Sequence, residues 1–270
     1  MTDTSVPSEA TEATEATEAT SIGRRTVLIA TGATAATLAV GAAATPEAPT
    51  AGTADTGNTA PVAAAAVCTL TKEMTEGPYY LDGQLVRADI SEDKTGFPLQ
   101  LTLTVVDDDT CAPLNSALVE IWHCDALGEY SGFVGNNGHD EPDNGTFLRG
   151  AVLSNSSGVA RITTVYPGWY RGRCIHIHLK VHTDVTLTSD GSFTGGQELH
   201  TGQLFFDETI TARVAALSPY SANTVPRTTL AQDSIYDEGG AASGLLTLTA
   251  LGGSPTAGYA GSLTVGVESS

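Results

Sequence analysis

Two histidines and a nearby tyrosine have the residue types and spacing of a metal site. His176 and His178 stand two apart in residues 175–181, where apolar residues alternate with them. Successive side chains of a β-strand point to opposite faces, so both imidazoles would lie on one face and could bind one metal ion. Just upstream, residues 167–170 (PGWY) predict a turn that presents Tyr170.

A second tyrosine suggests which metal this would be. Residues 119–132 (VEIWHCDALGEYSG) predict a strand followed by a turn that presents Tyr130. A phenol titrates near pH 10, so it becomes an anion at neutral pH only beside a strongly Lewis-acidic cation. Two phenolates with two imidazoles favour ferric iron over zinc, calcium or copper(I). A hydrolytic site with another metal is a weaker alternative, because the tyrosines argue against it.

The elements that would position these side chains are strands. Alternating apolar residues and frequent turn residues, with no long helical period, predict an all-β fold, a single β-sandwich domain with long loops. One short helix is predicted at residues 209–217. The predicted strands cover residues 99–106, 118–122, 158–165, 174–181, 204–206, 245–251 and 263–267.

The first 67 residues differ in composition from the rest. Residues 1–44 contain a TEATEATEAT repeat, the pair Arg24 and Arg25 and an uncharged run, and they resemble a twin-arginine export signal. A membrane anchor is the alternative, but a run rich in Ala, Thr and Gly is poorly apolar. Residues 45–67 predict a flexible linker, and residues 68–270 the catalytic domain.

Charge and cysteine content restrict the partners and the compartment. The chain has 31 acidic and 12 basic residues and a net charge of −19, which argues against nucleic acid or an anionic membrane as a partner. None of the four cysteines forms a CxxC pair. If the chain is exported, Cys68 and Cys111 are the expected disulfide. Cys124 and Cys174 could be buried thiols or a second bridge.

Taken together, these motifs resemble the intradiol ring-cleavage dioxygenases, particularly their secreted bacterial members. The resemblance extends from about residue 68 to residue 207. Its motifs, in order, are EGPYY (76–80), VEIWHCDALGEYSG (119–132), FLRG (147–150), PGWY (167–170), HIH (176–178) and QLFFDE (203–208).

The resemblance implies a role for each site residue. Tyr130 would be the retained tyrosine ligand and Tyr170 the tyrosine that substrate displaces, while Arg173 and Gln203 would lie near the bound diol and stabilise negative charge on it. Only five residues separate PGWY from HIH, fewer than in the cytosolic enzymes. The implied ligands of one non-haem Fe(III) per chain are Tyr130, Tyr170, His176 and His178.

The implied activity is cleavage of a catechol-type diol with O2 to a muconate-type diacid, outside the cytoplasmic membrane. Catechol and O2 are then the partners, and no permanent membrane span remains after signal cleavage. The alternative is a secreted β-sandwich binding module without activity. The ring substituents of the catechol and the oligomeric state stay open.

The other aromatic and histidine residues are predicted to be structural. Tyr166 is expected in the core, and so is Trp122. Tyr79 and Tyr80 are expected at the pocket mouth, with core packing as the alternative. Four further histidines are interpreted as surface or loop residues: His123, His139, His182 and His200.

Overall fold

The computed structural model describes residues 68–133, 143, 145–237 and 241–269. The predicted export signal at residues 1–44 and the predicted linker at residues 45–67 lie outside the described residues, as does His139. The domain boundaries therefore stay predictions.

Strands dominate the part of the chain that the structure describes. They are β1 (Pro98–Asp107), β2 (Leu118–Trp122), β3 (Arg149–Leu153), β4 (Val159–Val165), β5 (His176–Thr183), β6 (Thr186–Leu187), β7 (Phe193–Thr194), β8 (Gln197–Phe205), β9 (Thr247–Ala250) and β10 (Tyr259–Val267). The α-helices are α1 (Glu208–Ala215) and the single turn α2 (Ser234–Asp237). Short 3-10 turns lie around and after α2.

Eight of these strands form two four-stranded sheets. Sheet 1 has the order β4-β1-β10-β9, in which only the β1–β10 pair is parallel. Sheet 2 has the order β3-β2-β5-β8 and is antiparallel throughout. Strands β6 and β7 pair separately.

The core lies between the two sheets. In β1 the alternate residues Leu99, Leu101 and Leu103 are at most 1% exposed, and they share one hydrophobic cluster with Ile177 and Leu179 of β5. Such a two-sheet core defines a β-sandwich, so the predicted all-β sandwich is confirmed.

Sheet 2 is covered on its outer face as well. The chain before β1 pairs with the β8 edge, where the Met74 amide donates to the Thr201 carbonyl at 2.8 Å. It also pairs with the β3 edge, where the Arg87 amide donates to the Ala151 carbonyl at 2.8 Å. All but the last residue of β5 are consequently buried, although the strand alternates apolar and polar side chains.

Several predicted elements are shorter or longer in the structure. The helix predicted at residues 209–217 is α1, which begins one residue earlier because Asp207 accepts from the Thr209 and Ile210 amides and caps it. Strand β8 starts at Gln197 rather than at residue 204, and β3, β6 and β7 were not predicted. Their sequences are short or polar, so local alternation gives no strand signal.

The cysteines are settled in the structure. Cys68 and Cys111 form the expected disulfide. Cys124 and Cys174 are free and buried, which excludes the second bridge. Among the described helices, none is long and apolar enough to cross a membrane.

Candidate metal centre

The histidine pair lies at the start of β5, on the outer face of sheet 2. His176 and His178 are 2% and 1% exposed, and the intervening Ile177 points into the core. The predicted common face is therefore confirmed. Trp122 of β2 is the register partner of His178, and the two rings stack with centroids 4.9 Å apart and planes 6° apart.

The two imidazoles direct nitrogen atoms at one point. Their Nε2 atoms are 3.1 Å apart. His176 Nδ1 lies 2.7 Å from the Cys174 carbonyl, which can only accept, so Nδ1 carries the proton and Nε2 has a lone pair. Burial lowers the pKa of both histidines far below its ordinary value, chiefly by desolvation of the charged form. Both rings are therefore neutral, as metal ligands must be.

The two tyrosines complete the cluster. Tyr170 Oη is 3.4 Å from His176 Nε2, and the Tyr130 ring lies 5.8 Å from the Tyr170 ring and 6.1 Å from the His178 ring. Tyr130 is 2% exposed, and its buried hydroxyl has no hydrogen-bond partner. Burial raises the pKa of both phenols above its ordinary value of 10.

These observations fit a ferric ion. A buried Oη without a partner is costly, and a cation beside it would relieve that cost. The same cation could accept the lone pair that His176 Nε2 directs toward His178. Such a cation would also convert the phenols to phenolates. Within the described ranges, no group of three or more His, Cys, Asp or Glu side chains is placed to hold a metal ion.

The remaining predicted site residues, Arg173 and Gln203, adjoin this cluster. Arg173 Nη1 is 3.5 Å from His176 Nε2, and Nη2 donates to Gln203 Oε1 at 2.5 Å. Gln203 is the β8 register partner of His178, and its amide donates to the Thr75 carbonyl at 2.8 Å. The structure thus brings all six predicted site residues together, whereas their catalytic roles stay predictions.

Aromatic side chains from the covering segment border the cluster. The Tyr79 ring stacks on Tyr130 at 4.5 Å and meets Tyr170 edge-on at 5.6 Å. Tyr80 packs on Trp122 at 5.0 Å. Both covering tyrosines are half-buried. Tyr166 is fully buried in the core, as predicted.

The prediction that His123, His182 and His200 are surface or loop residues is wrong for His182 and His200, which are buried on strands, whereas His123 does lie in the loop after β2 but is buried there. They are 0%, 7% and 1% exposed. His123 contacts the Cys124 carbonyl and Thr164 Oγ1, both at 2.8 Å. The other two lie on β5 and β8, where the covering chain buries them.

Two carboxylates near the site were missed. Glu120 is fully buried on β2, 3.0 Å from His182 Nε2, and desolvation raises its pKa. Asp233 is also fully buried, and its Oδ2 accepts from Arg173 Nε at 2.9 Å. Glu120 lies diagonally opposite His182, since its register partner on β5 is Lys180, and Asp233 stands 60 residues from its arginine, so neither pair gives a local signal.

The chain resembles known proteins in both sequence and structure. A family model described as "Dioxygenase" matches residues 75–188. Chlorocatechol 1,2-dioxygenase of Pseudomonas sp. (strain P51) is 30% identical over 144 residues, which cover 45% of this chain and 55% of that protein. Catechol 1,2-dioxygenase of Acinetobacter baylyi is 33% identical over 113 residues, which cover 40% of this chain and 35% of that protein. The chain thus spans about half or less of these curated relatives.

A solved structure is matched over nearly its whole length. The intradiol ring-cleavage dioxygenase from Tetranychus urticae is 30% identical, with a TM-score of 0.63 over 74% of this chain and 95% of that one. The fold is shared with the dioxygenase domain of a dioxygenase carbohydrate-binding protein fusion from Streptomyces sp. SirexAA-E. That match has 21% identity and a TM-score of 0.50 over 75% of this chain and 100% of that one. By the extent of the Tetranychus match, together with the family model, this chain belongs to the intradiol ring-cleavage dioxygenase family.

Proposed function

We propose that this protein is a non-haem Fe(III) dioxygenase that cleaves a catechol-type diol between its two hydroxylated carbons with O2, giving a muconate-type diacid. The observation that carries the proposal is a single cluster of two neutral imidazoles, the buried Tyr130 phenol and the half-buried Tyr170 phenol, beside the Arg173 guanidinium. The two curated relatives are named as catechol and chlorocatechol dioxygenases, which supports a catechol as the substrate class.

The residues that would hold the ion differ in accessibility. Tyr130, His176 and His178 are each at most 2% exposed, whereas Tyr170 is only half-buried and precedes the turn at residues 171–172. A ligand at the open side can leave without unpacking the core. Tyr170 is therefore the ligand that an incoming diol would displace, and its Oη would take up one of the diol protons as it leaves.

Bound Fe(III) would supply chelation of the diol and transfer of electron density that activates the ring toward O2. The chain's own contribution is electrostatic and steric. Arg173, with Nη1 directed at the cluster, would stabilise negative charge on the bound diol, and Gln203 would orient that guanidinium. Tyr79 and Trp122 would exclude water from the site. Because both atoms of O2 enter the diacid, no external reductant is needed.

We also propose that the protein acts outside the cytoplasmic membrane. The support is the twin-arginine pattern of Arg24 and Arg25, the acidic composition and the Cys68–Cys111 disulfide, which suits an oxidising compartment.

An absorption spectrum with iron analysis, before and after anaerobic addition of catechol, tests the proposed chemistry. Phenolate-to-Fe(III) charge transfer should give a visible band that moves to longer wavelength when catechol binds, and admission of O2 should then yield a muconate. Stoichiometric iron without the band would refute the tyrosine ligands. Failure to bind any metal would favour the inactive binding module.

A further inference from the structure

Asp233 is a fully buried carboxylate beside the site, and it comes from a segment that the family model does not match. Its Oδ2 accepts from Arg173 Nε at 2.9 Å and from the Cys174 amide at 2.6 Å. Its Oδ1 accepts from the Ile235 and Tyr236 amides at 2.9 and 3.2 Å, which fixes the first turn of α2. One carboxylate therefore ties the loop before β5 to the chain after α1.

Arg173 depends on this carboxylate for its direction. Nε bonds to Asp233 and Nη2 to Gln203, and these two bonds leave Nη1 facing His176 Nε2. The adjacent Gly172 faces open space, since a Cβ there would meet nothing within 4 Å. A long side chain on such a loop has many rotamers of similar energy unless a partner selects one.

The ion pair is also protected from solvent. The Arg173 side chain is 11% exposed and that of Asp233 is 0% exposed, so the pair is weakly screened. The planar guanidinium presents its donors at fixed angles, and anchoring Nε and Nη2 therefore determines where Nη1 points.

We propose that Asp233 is the positioning residue that aims the Arg173 guanidinium at the diol-binding site. This inference rests on the proposed function. Asp233 touches none of the four candidate ligands directly and acts through Arg173. Only five residues, 171–175, connect Tyr170 to β5. Arg173 lies in this short connection, and it stays at the site because Asp233, from a distant segment, holds it.

Asp233→Asn tests this, with Asp207→Asn as the matched control. Asp207 likewise accepts two backbone amides at a helix start, at 2.9 and 3.0 Å, but holds no arginine in the described structure. Replacing an outer partner of this kind typically costs about 10- to 100-fold in activity. We expect that loss in kcat for a catechol with Asp233→Asn, near wild-type kcat with Asp207→Asn, and unchanged iron content and charge-transfer band in both.

A double-mutant cycle separates positioning from mere structural support. In an Arg173→Ala background, Asp233→Asn should lower kcat by less than about threefold, because the two residues act as one unit. An undiminished loss in that background would overturn the inference, and so would a wild-type kcat for Asp233→Asn alone. If Asp233→Asn does not fold, Asp233→Glu, which moves the carboxylate by one methylene, takes its place with the same expectations.

Failure of the proposed catechol cleavage can be distinguished from failure of the positioning role of Asp233. If the wild-type protein cleaves no catechol, crystal structures of the wild type and Asp233→Asn still decide the positioning. We expect Arg173 Nη1 to leave the neighbourhood of His176 Nε2 in the variant. An unchanged Nη1 position would overturn the inference whatever the activity.

Discussion

Substitution of Gly77 by alanine should weaken iron binding through a single methyl group. Gly77 lies in the segment that covers sheet 2, with φ at +73°, and a Cβ there would stand 3.2 Å from His178 Cε1. That is several tenths of an ångström closer than ordinary carbon contacts. His178 is stacked on Trp122, so the ring can yield only by changing its place in the cluster.

Gly83→Ala is a matched control for the backbone term. Gly83 has φ at +74°, but its Cβ would lie 3.9 Å from the nearest atom, the Phe193 carbonyl oxygen. An alanine at positive φ costs about 1 to 2 kcal/mol. Both variants should therefore lose that much free energy of unfolding, and Gly77→Ala somewhat more because of its contact.

Only Gly77→Ala should change the metal site. Metal–ligand distances are specified to about 0.2 Å, so displacing His178 by a few tenths of an ångström should weaken iron binding about 10- to 100-fold. Competition with a chelator measures the iron affinity, and urea unfolding of the metal-free protein measures the backbone cost. Equal iron affinities for the two variants would refute the placement of His178 as a ligand beneath Gly77.

Three further predictions concern buried polar groups. Burial lowers the pKa of His123 to about 4 from an ordinary 6.5. Below about pH 6.5 the imidazole is therefore protonated in the unfolded chain but still neutral in the folded chain, and this difference favours unfolding. The difference in free energy of unfolding between wild type and His123→Gln should thus change by about 2 kcal/mol, against wild type, as the pH falls from roughly 7.5 to 5. Urea unfolding measures it, and a difference that does not depend on pH would contradict this prediction. Tyr220→Phe removes a buried hydroxyl that bonds one backbone amide and one backbone carbonyl, and it should cost about 1 to 3 kcal/mol in urea unfolding; a neutral result would mean that water replaces the hydroxyl. Cys124 and Cys174, 2% and 1% exposed, should resist a thiol reagent in the native protein and give two thiols per chain after denaturation; fast native labelling would show that the site region opens.

The sequence itself determined the local features of the site. The two-residue spacing of His176 and His178 in an apolar strand is sufficient to place both rings on one face, because the period of a strand is two. The sandwich followed in the same way from repeated alternation, and β2 was predicted to the residue. Tyr130 and Tyr170 could be recognised because each follows a strand at a turn with a distinctive motif.

Only the tertiary structure decided which polar groups are buried and what they contact. The chain before β1 crosses the outer face of sheet 2, and it buries a face that the alternating pattern of β5 marks as polar. For this reason His182 and His200 were mistaken for surface residues. The pairing of Asp233 with Arg173 likewise depends on chain segments 60 residues apart, and no local period reports such a contact. Local spacing selects the ligands of the candidate metal centre, while long-range packing sets their burial, their pKa values and the direction of the arginine beside them.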